Sequence, residues 1–126
     1  MRRFPFPGAR FPAHSASMRN RYSEKEAGAI QARLRRQGVP ADLARRLYTS
    51  RLLGADPALV LHGGGNTSVK TQWIGPGGAK VAALWVKGSG RDLGTAGPGD
   101  FAALDLAPLR RLGALEDLAD DAMAHA

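Results

Sequence analysis

The sequence changes character near Gly54, from two long helix-forming runs to short apolar runs separated by glycine-rich turns. Before this point, Glu24–Gln37 is rich in helix formers, and a second helix is predicted over residues 41–53. Beyond it, the short runs bounded by glycine and proline are typical of strands. Two helices, then several strands, then a further helix predict a layered α/β or α+β domain.

The ends of both predicted helices carry local signals. Ser23 and Glu26 have the spacing of a capping box, in which each side chain satisfies the backbone N–H of the other residue. Gly38 suits the left-handed position that follows a helix. Pro40 lies near the start of the second helix, and we expect Gly54 to end it.

The second half of the sequence predicts four strands and two helices. Val81–Val86 is the strongest strand prediction because it is continuously apolar and bounded by glycine loops. Pro108 is expected to open a short helix that reaches Leu112, and a further helix is predicted over Leu115–Met123. The other three predicted strands are Leu59–Leu61, Thr67–Thr71 and Phe101–Leu106.

Two glycine loops follow predicted strands, one over residues 62–68 and the other over residues 87–90. Glycine lets the backbone adopt positive φ and approach a ligand closely, so successive amides can point into one concavity that favours phosphate. Hydroxyl groups of Thr67, Ser68 and Ser89 can add donors. From the residues alone, an anion site and two plain turns remain open alternatives.

Familiar ligand-binding motifs do not fit these loops. The P-loop string G-x-x-x-x-G-K-[ST] is absent, and Gly88, Gly90 and Gly94 have one residue too many for the dinucleotide fingerprint. The His62-Gly-Gly-Gly65 string matches an esterase oxyanion hole, but the G-x-S-x-G nucleophile motif of that fold is missing. We therefore reject these three functions.

Three longer strings are more specific: YTSRLLGADP over residues 48–57, LVLHGGGNTSVK over residues 59–70 and LWVKGSG over residues 84–90. From about Met18 to the C-terminus, the sequence resembles the class II aldolase/adducin superfamily. It is most similar to the aldolase half of bacterial bifunctional proteins that join a rhamnulose-1-phosphate aldolase to a short-chain dehydrogenase. Arg91 stands where those relatives usually carry Trp; it is either an additional anion-binding group or a solvated surface residue.

The resemblance implies a fold, a reaction and a phosphate site. The fold is an α/β three-layer αβα sandwich with a mainly antiparallel central sheet, here incomplete at the C-terminus. The implied reaction cleaves a ketose 1-phosphate of the rhamnulose 1-phosphate type to dihydroxyacetone phosphate and lactaldehyde, in a cytoplasmic homo-oligomer. Combined with the concavity described above, the resemblance predicts that the substrate phosphate is bound by Gly64, Gly65, Asn66, Thr67, Ser89 and Gly90.

The resemblance also implies zinc, which acts in the family as a Lewis acid on the enediolate and is held by histidines that include a His-x-His pair. This sequence has three histidines, His14, His62 and His125, and no such pair. Three scattered histidines rarely form a catalytic zinc site, and His62 is interpreted as a turn or packing residue. We therefore expect no cofactor, catalytic residue or metal ligand in this chain alone, which would be an inactive fragment or relic. The alternative is a non-catalytic, adducin-like binding or scaffold protein.

The net charge of +7 favours a basic nucleic-acid binder, but the distribution of that charge argues against it. Residues 1–53 hold 12 basic and 3 acidic side chains, a net charge of +9, whereas residues 54–126 hold 6 basic and 8 acidic ones, a net charge of −2. The excess of positive charge thus lies outside the part of the sequence that carries the glycine loops. Residues 1–17 are predicted to be a basic disordered extension and residues 18–126 the aldolase-like portion. The lack of cysteine fits the cytoplasm, and no apolar run is long enough to cross a membrane.

Overall fold

The computed structural model describes residues 19–115. The predicted extension over residues 1–17 and the predicted helix over Leu115–Met123, apart from its first residue, lie outside this range. The helices are α1 (Glu24–Arg35), α2 (Ala41–Gly54) and α3 (Leu106–Leu112), and the strands are β1 (Ser68–Ile74), β2 (Lys80–Lys87) and β3 (Phe101–Asp105). Two short 3₁₀ turns, Leu93–Thr95 and Pro98–Asp100, lie between β2 and β3.

Helix α1 begins with half of the predicted capping box. The Ser23 hydroxyl accepts the Glu26 N–H at 3.4 Å, as expected. The Glu26 carboxylate, however, does not accept the Ser23 N–H directly. The Tyr48 hydroxyl of α2 lies between them, accepting the Ser23 N–H at 3.0 Å and donating to Glu26 Oε2 at 2.7 Å. The box is therefore closed through the second helix, which no local pattern in the sequence specifies.

The two helices are connected by a tight turn at Gly38, whose φ of +77° confirms the predicted left-handed position. Helix α1 ends at Arg35, two residues before the predicted end at Gln37. Helix α2 ends at Gly54, as predicted, although Gly54 itself is still helical and its φ lies outside the left-handed region. A Cβ at Gly54 would lie 2.1 Å from the Gly94 nitrogen, so glycine is needed here for close packing of α2 on the 3₁₀ turn.

The three strands form an antiparallel sheet in the order β1-β2-β3. The turn at residues 75–78 joins β1 to β2, with the Gly75 N–H donating to the Ala79 carbonyl at 3.0 Å. The strand prediction at Val81–Val86 is confirmed, whereas the strand predicted at Thr67–Thr71 begins at Ser68 and continues to Ile74. The strand predicted at Phe101–Leu106 is confirmed as far as Asp105.

Helix α3 begins at Leu106, two residues before the predicted start at Pro108. The Asp105 carboxylate caps it by accepting the Ala107 N–H at 2.9 Å. Pro108 consequently lies in the first helical turn, where its missing N–H has no helical partner to lose.

The strand predicted at Leu59–Leu61 was wrong. The N–H groups of Leu59 and Val60 both donate to the Asp56 carbonyl, which closes the chain into a turn after Asp56–Pro57. Leu61 is 80% exposed and Leu59 is also exposed. The backbone hydrogen bonds of the turn, rather than burial of three apolar side chains, therefore determine the conformation of this segment.

The hydrophobic core lies between α1, α2 and one face of the sheet. Alternation along the strands places Val69, Trp85 and Phe101 on this face. They pack with a buried cluster that includes Leu34, Leu43, Ala44, Leu47 and Ala96. The antiparallel sheet and one helical layer are as predicted, and the second helical layer remains a prediction. Within residues 19–115, no helix is both long enough and apolar enough to cross a membrane.

Candidate functional site

The two glycine loops leave the sheet at the same end of the β1–β2 pair. These strands are antiparallel and Ser68 is paired with Val86, so the residues entering β1 lie beside those leaving β2. The Lys87 N–H donates to the Thr67 carbonyl at 3.0 Å, which joins the two loops directly. Two segments that are 20 or so residues apart in sequence thus form one surface.

The first loop, residues 62–68, is shaped by glycines at positive φ. Gly63 and Gly65 have φ values of +75° and +80°. A Cβ at Gly65 would come within 2.8 Å of Leu93 and 3.0 Å of Val60, so this residue also packs closely against the following 3₁₀ turn. Gly64 donates its N–H to the Leu61 carbonyl at 2.9 Å and lies between the two left-handed residues. Glycine at position 65 is therefore required by both conformation and space.

The second loop, residues 87–90, is held at its base and open at its tip. The Gly88 N–H donates to the Asp100 carbonyl at 2.8 Å. Gly90 has a φ of +77°, and no atom lies within 4 Å of the position its Cβ would occupy. Ser89, between these glycines, is exposed. Its hydroxyl can therefore reach a ligand arriving from solvent.

Several backbone donors of the loops are unused. Among the hydrogen bonds formed within residues 19–115, none has a donor N–H from Gly65, Asn66, Thr67, Ser89 or Gly90. The side chains of Asn66 and Ser89, both exposed, likewise form no hydrogen bond inside that range. Backbone amides that lack an acceptor and face solvent at glycine-rich turns are the groups that bind oxyanions in proteins.

Thr67 has a different side-chain environment from its neighbours. Its Oγ1 lies 2.8 Å from the Oγ of Ser50, which is fully buried in α2. Ser50 donates its single hydroxyl proton to the Arg46 carbonyl at 2.6 Å, so Thr67 must be the donor in the pair. The Thr67 hydroxyl therefore anchors the first loop to α2 and has no proton left for a ligand, while its backbone N–H remains available.

Asp100 organises the base of the second loop, and sequence reasoning missed it. Its carboxylate accepts the Gly97 N–H at 2.9 Å and forms an ion pair with Arg91, whose Nε lies 2.9 Å away, while its carbonyl accepts the Gly88 N–H. The Gly97 hydrogen bond, together with the nearby Arg91 charge, lowers the pKa of Asp100. Arg91, whose side chain is 71% exposed, is thus an ion-pair partner at the surface of the loop.

His62 and Asp92 connect the far sides of the two loops. His62 Nδ1 lies 3.5 Å from Asp92 Oδ2, and the His62 side chain is 93% exposed. His62 lies in a turn, as one reading of the sequence proposed, but it is not a packing residue. In the part of the chain that the structure describes, no three His, Asp or Glu side chains form a group that could hold a metal ion. These residues therefore do not fit a zinc site of three protein ligands.

Comparison with known proteins gives one curated protein and one solved structure with clear similarity. "Uncharacterized oxidoreductase YuxG" of Bacillus subtilis (strain 168) is 36% identical over 85 residues, which are 68% of this chain and 12% of that protein. The N-terminal class II aldolase domain of a conserved protein from Thermoplasma acidophilum has a TM-score of 0.66 and 34% sequence identity. The match covers 85% of this chain and 44% of that one.

The chain thus spans less than half the length of either protein. No family model matches it. The structural match extends to both helical and strand elements, because it covers most of the chain. The three-stranded antiparallel sheet and its helices are therefore part of a class II aldolase-like fold.

Proposed function

We propose, from the premise that this chain belongs to the class II aldolase superfamily, that it provides the substrate-phosphate side of an aldolase active site. The substrate class is a ketose 1-phosphate of the rhamnulose 1-phosphate type, which a complete zinc-dependent enzyme would cleave to dihydroxyacetone phosphate and lactaldehyde. The observation that supports this proposal is the set of unpaired amides on two glycine loops at one end of the sheet.

The two loops offer donors suited to a phosphate group. In the first loop, Gly65 packs against Leu93 and Val60 on the side where a Cβ would lie, and it offers its unpaired backbone N–H to a ligand. Asn66 and Ser89 each add one exposed side-chain donor, one from either loop. Gly90, at positive φ, turns the second loop without a side chain over its tip. Hydrogen bonds from such donors to an ionised phosphate are stronger than those between neutral groups.

Cleavage of the carbon–carbon bond is not assigned to this chain. The sequence has no His-x-His pair, and residues 19–115 contain no group of three side chains that could hold a metal ion. We expect the purified 126-residue chain to show no cleavage of rhamnulose 1-phosphate or fuculose 1-phosphate, with or without added zinc. A coupled assay for dihydroxyacetone phosphate tests this, and turnover that persists through rigorous purification would contradict it.

The oxidoreductase in the name of the Bacillus relative is not proposed for this chain. The match covers only 12% of that protein, and its catalytic part can therefore lie elsewhere. The glycines at positions 88, 90 and 94 do not have the dinucleotide spacing. The proposed ligand is accordingly a sugar phosphate.

Titration with phosphate and with dihydroxyacetone phosphate tests the proposed site. We expect wild-type affinity in the millimolar range, or about 4 kcal/mol, because the loops supply hydrogen bonds without a metal ion. Asn66→Ala and Ser89→Ala should each weaken binding about tenfold, since each removes a donor to a charged group. Asn20→Ala and Gln72→Ala, at exposed polar residues away from the loops, are the controls. Equal affinities for all five proteins would refute the proposal.

A further inference from the structure

The last residue of β2, Lys87, carries a buried ammonium group next to the second glycine loop. Its side chain is almost wholly inaccessible, with 2% of the residue exposed. The Nζ donates one hydrogen bond, to the Gly88 carbonyl at 2.9 Å. Within residues 19–115, the Lys87 ammonium forms no ion pair with a carboxylate. A buried positive charge therefore lies beside the proposed phosphate site with two of its three N–H donors unused in that range.

Burial of an ammonium group is unfavourable unless another charge compensates it. One acidic group of this region, Asp100, is already paired with Arg91 and accepts a hydrogen bond from Gly97. The positive charge of Lys87 contributes to lowering the pKa of Asp100. The two groups therefore interact electrostatically, although they do not form an ion pair. Two carboxylates lie at this end of the sheet, but Asp92 is paired with His62 and Asp100 with Arg91, so Lys87 is left without a carboxylate partner among residues 19–115.

The hydrogen bond from Lys87 also orients the backbone of the loop. The Gly88–Ser89 peptide is trans, so its carbonyl and the Ser89 N–H point in opposite directions. Because the carbonyl points to the buried ammonium, the Ser89 N–H points away from it. That N–H is one of the unpaired amides of the two loops.

We propose that Lys87 is a positioning residue of the anion site. Its buried ammonium fixes the Gly88 carbonyl, turns the Ser89 N–H towards the ligand, and supplies the positive charge that a phosphate dianion compensates. This inference rests on the proposed function, since it names the charged group behind the same loops. A positioning role differs from a purely structural role in one measurable way. The positive charge of Lys87 strengthens binding of the anion, but it destabilises the fold when no anion is bound.

Phosphate titration and urea unfolding of the full 126-residue chain, carried out on Lys87→Met and Lys87→Arg, test this inference. Methionine keeps the length of the side chain and removes the charge. We expect Lys87→Met to weaken phosphate binding at least tenfold while the midpoint of unfolding stays the same or rises. Lys87→Arg should recover part of the affinity. Lys70→Met, at an exposed lysine on the opposite face of the sheet, should leave the affinity unchanged.

The outcomes separate the two proposals. Absence of phosphate binding by the wild type would overturn the proposed function, and this inference with it. Wild-type binding together with unchanged affinity of Lys87→Met would overturn this inference alone. Failure of Lys87→Met to fold, or loss of affinity only in proportion to loss of stability, would show that Lys87 is a structural residue and would also overturn it.

Discussion

At the residue scale, single side chains connect elements that are distant in the sequence. The Tyr48 hydroxyl bridges the Ser23 N–H and the Glu26 carboxylate, and so joins α2 to the first turn of α1. The Ser50 hydroxyl connects α2 to the first glycine loop through its hydrogen bond with the Thr67 hydroxyl. Both side chains come from the buried face of α2. One helix therefore holds the start of the fold and one side of the candidate site.

The Tyr48 bridge predicts a clear difference between two tyrosines. We expect Tyr48→Phe to lower the free energy of unfolding by about 1–2 kcal/mol, because a buried hydroxyl is lost and the Ser23 N–H loses its acceptor. Tyr22→Phe is the matched control, since the Tyr22 hydroxyl binds Glu24 and Arg45 at the exposed surface. Urea unfolding of both variants gives the comparison. Similar effects of the two substitutions would mean that the Tyr48 bridge does not stabilise α1.

Asp100 predicts a pH dependence of stability. Its pKa is lowered in the folded protein from an ordinary value of 3.8. The unfolded chain therefore takes up a proton first as the pH falls, and the stabilisation by this carboxylate is lost progressively below the ordinary value. It is fully present above about pH 5. The loss is complete once the pH is below the lowered pKa of the folded state.

Asp100→Asn tests this dependence. We expect the variant to be less stable than the wild type at pH 6, and the difference to shrink when both are unfolded in urea at pH 3. Asp42→Asn, at an exposed carboxylate on α2, should give a smaller difference at pH 6. A wild-type advantage over Asp100→Asn that is the same at both pH values would contradict the account.

At the element scale, the closest contact between elements is made without side chains. Helix α2 and the 3₁₀ turn at Leu93–Thr95 meet at Gly54 and Gly94, where a Cβ on either residue would lie 3.0 Å or less from backbone atoms of the other segment. The side chain of Leu93, in the same 3₁₀ turn, also packs against Gly65 of the first loop. The position of the first loop therefore depends on how closely α2 approaches the turn.

Gly54→Ala should consequently destabilise the protein by about 1–3 kcal/mol or more, because backbone rather than a flexible side chain blocks the added methyl group. Gly28→Ala provides the opposite control. Gly28 lies on the exposed side of α1 with no atom within 4 Å of its Cβ position, so alanine should stabilise the helix by about 0.5–1 kcal/mol. Thermal unfolding measures both effects. A neutral Gly54→Ala would show that this contact is looser than described.

Sequence patterns predicted the elements better than the contacts between them. The continuous apolar run of β2 and the left-handed Gly38 depend on local chemistry, and both predictions are confirmed. The strand predicted at Leu59–Leu61 does not form, because burial of three apolar residues is too small to outweigh the backbone hydrogen bonds to Asp56. The positions of both loops were predicted, but Ser50 and Asp100 act across 17 and 12 residues. Such contacts depend on strand register and helix packing, which no local pattern encodes.

At the scale of the whole molecule, the candidate site depends on elements from most of the described chain. Helix α2 anchors the first loop through Ser50, β2 carries the buried Lys87, and the segment before β3 holds the second loop through Asp100. The antiparallel β1–β2 pair brings these parts to one end of the sheet. The basic residues described before Gly54 lie mostly on α1 and α2 rather than in the loops. General attraction of anions to the basic helices is therefore distinct from binding at the loops.

The measurement that tests this account most directly is an NMR titration of the 126-residue chain with inorganic phosphate. We predict saturable shifts in the millimolar range at the backbone amides of residues 63–68 and 88–90, largest for the unpaired donors such as Asn66 and Ser89. The amides of α1, which carries Arg33 and Arg35 in its last turn, should not saturate over the same range. Shifts confined to the arginine-rich part of the chain, with the amides of both loops unchanged, would contradict the assignment of the site.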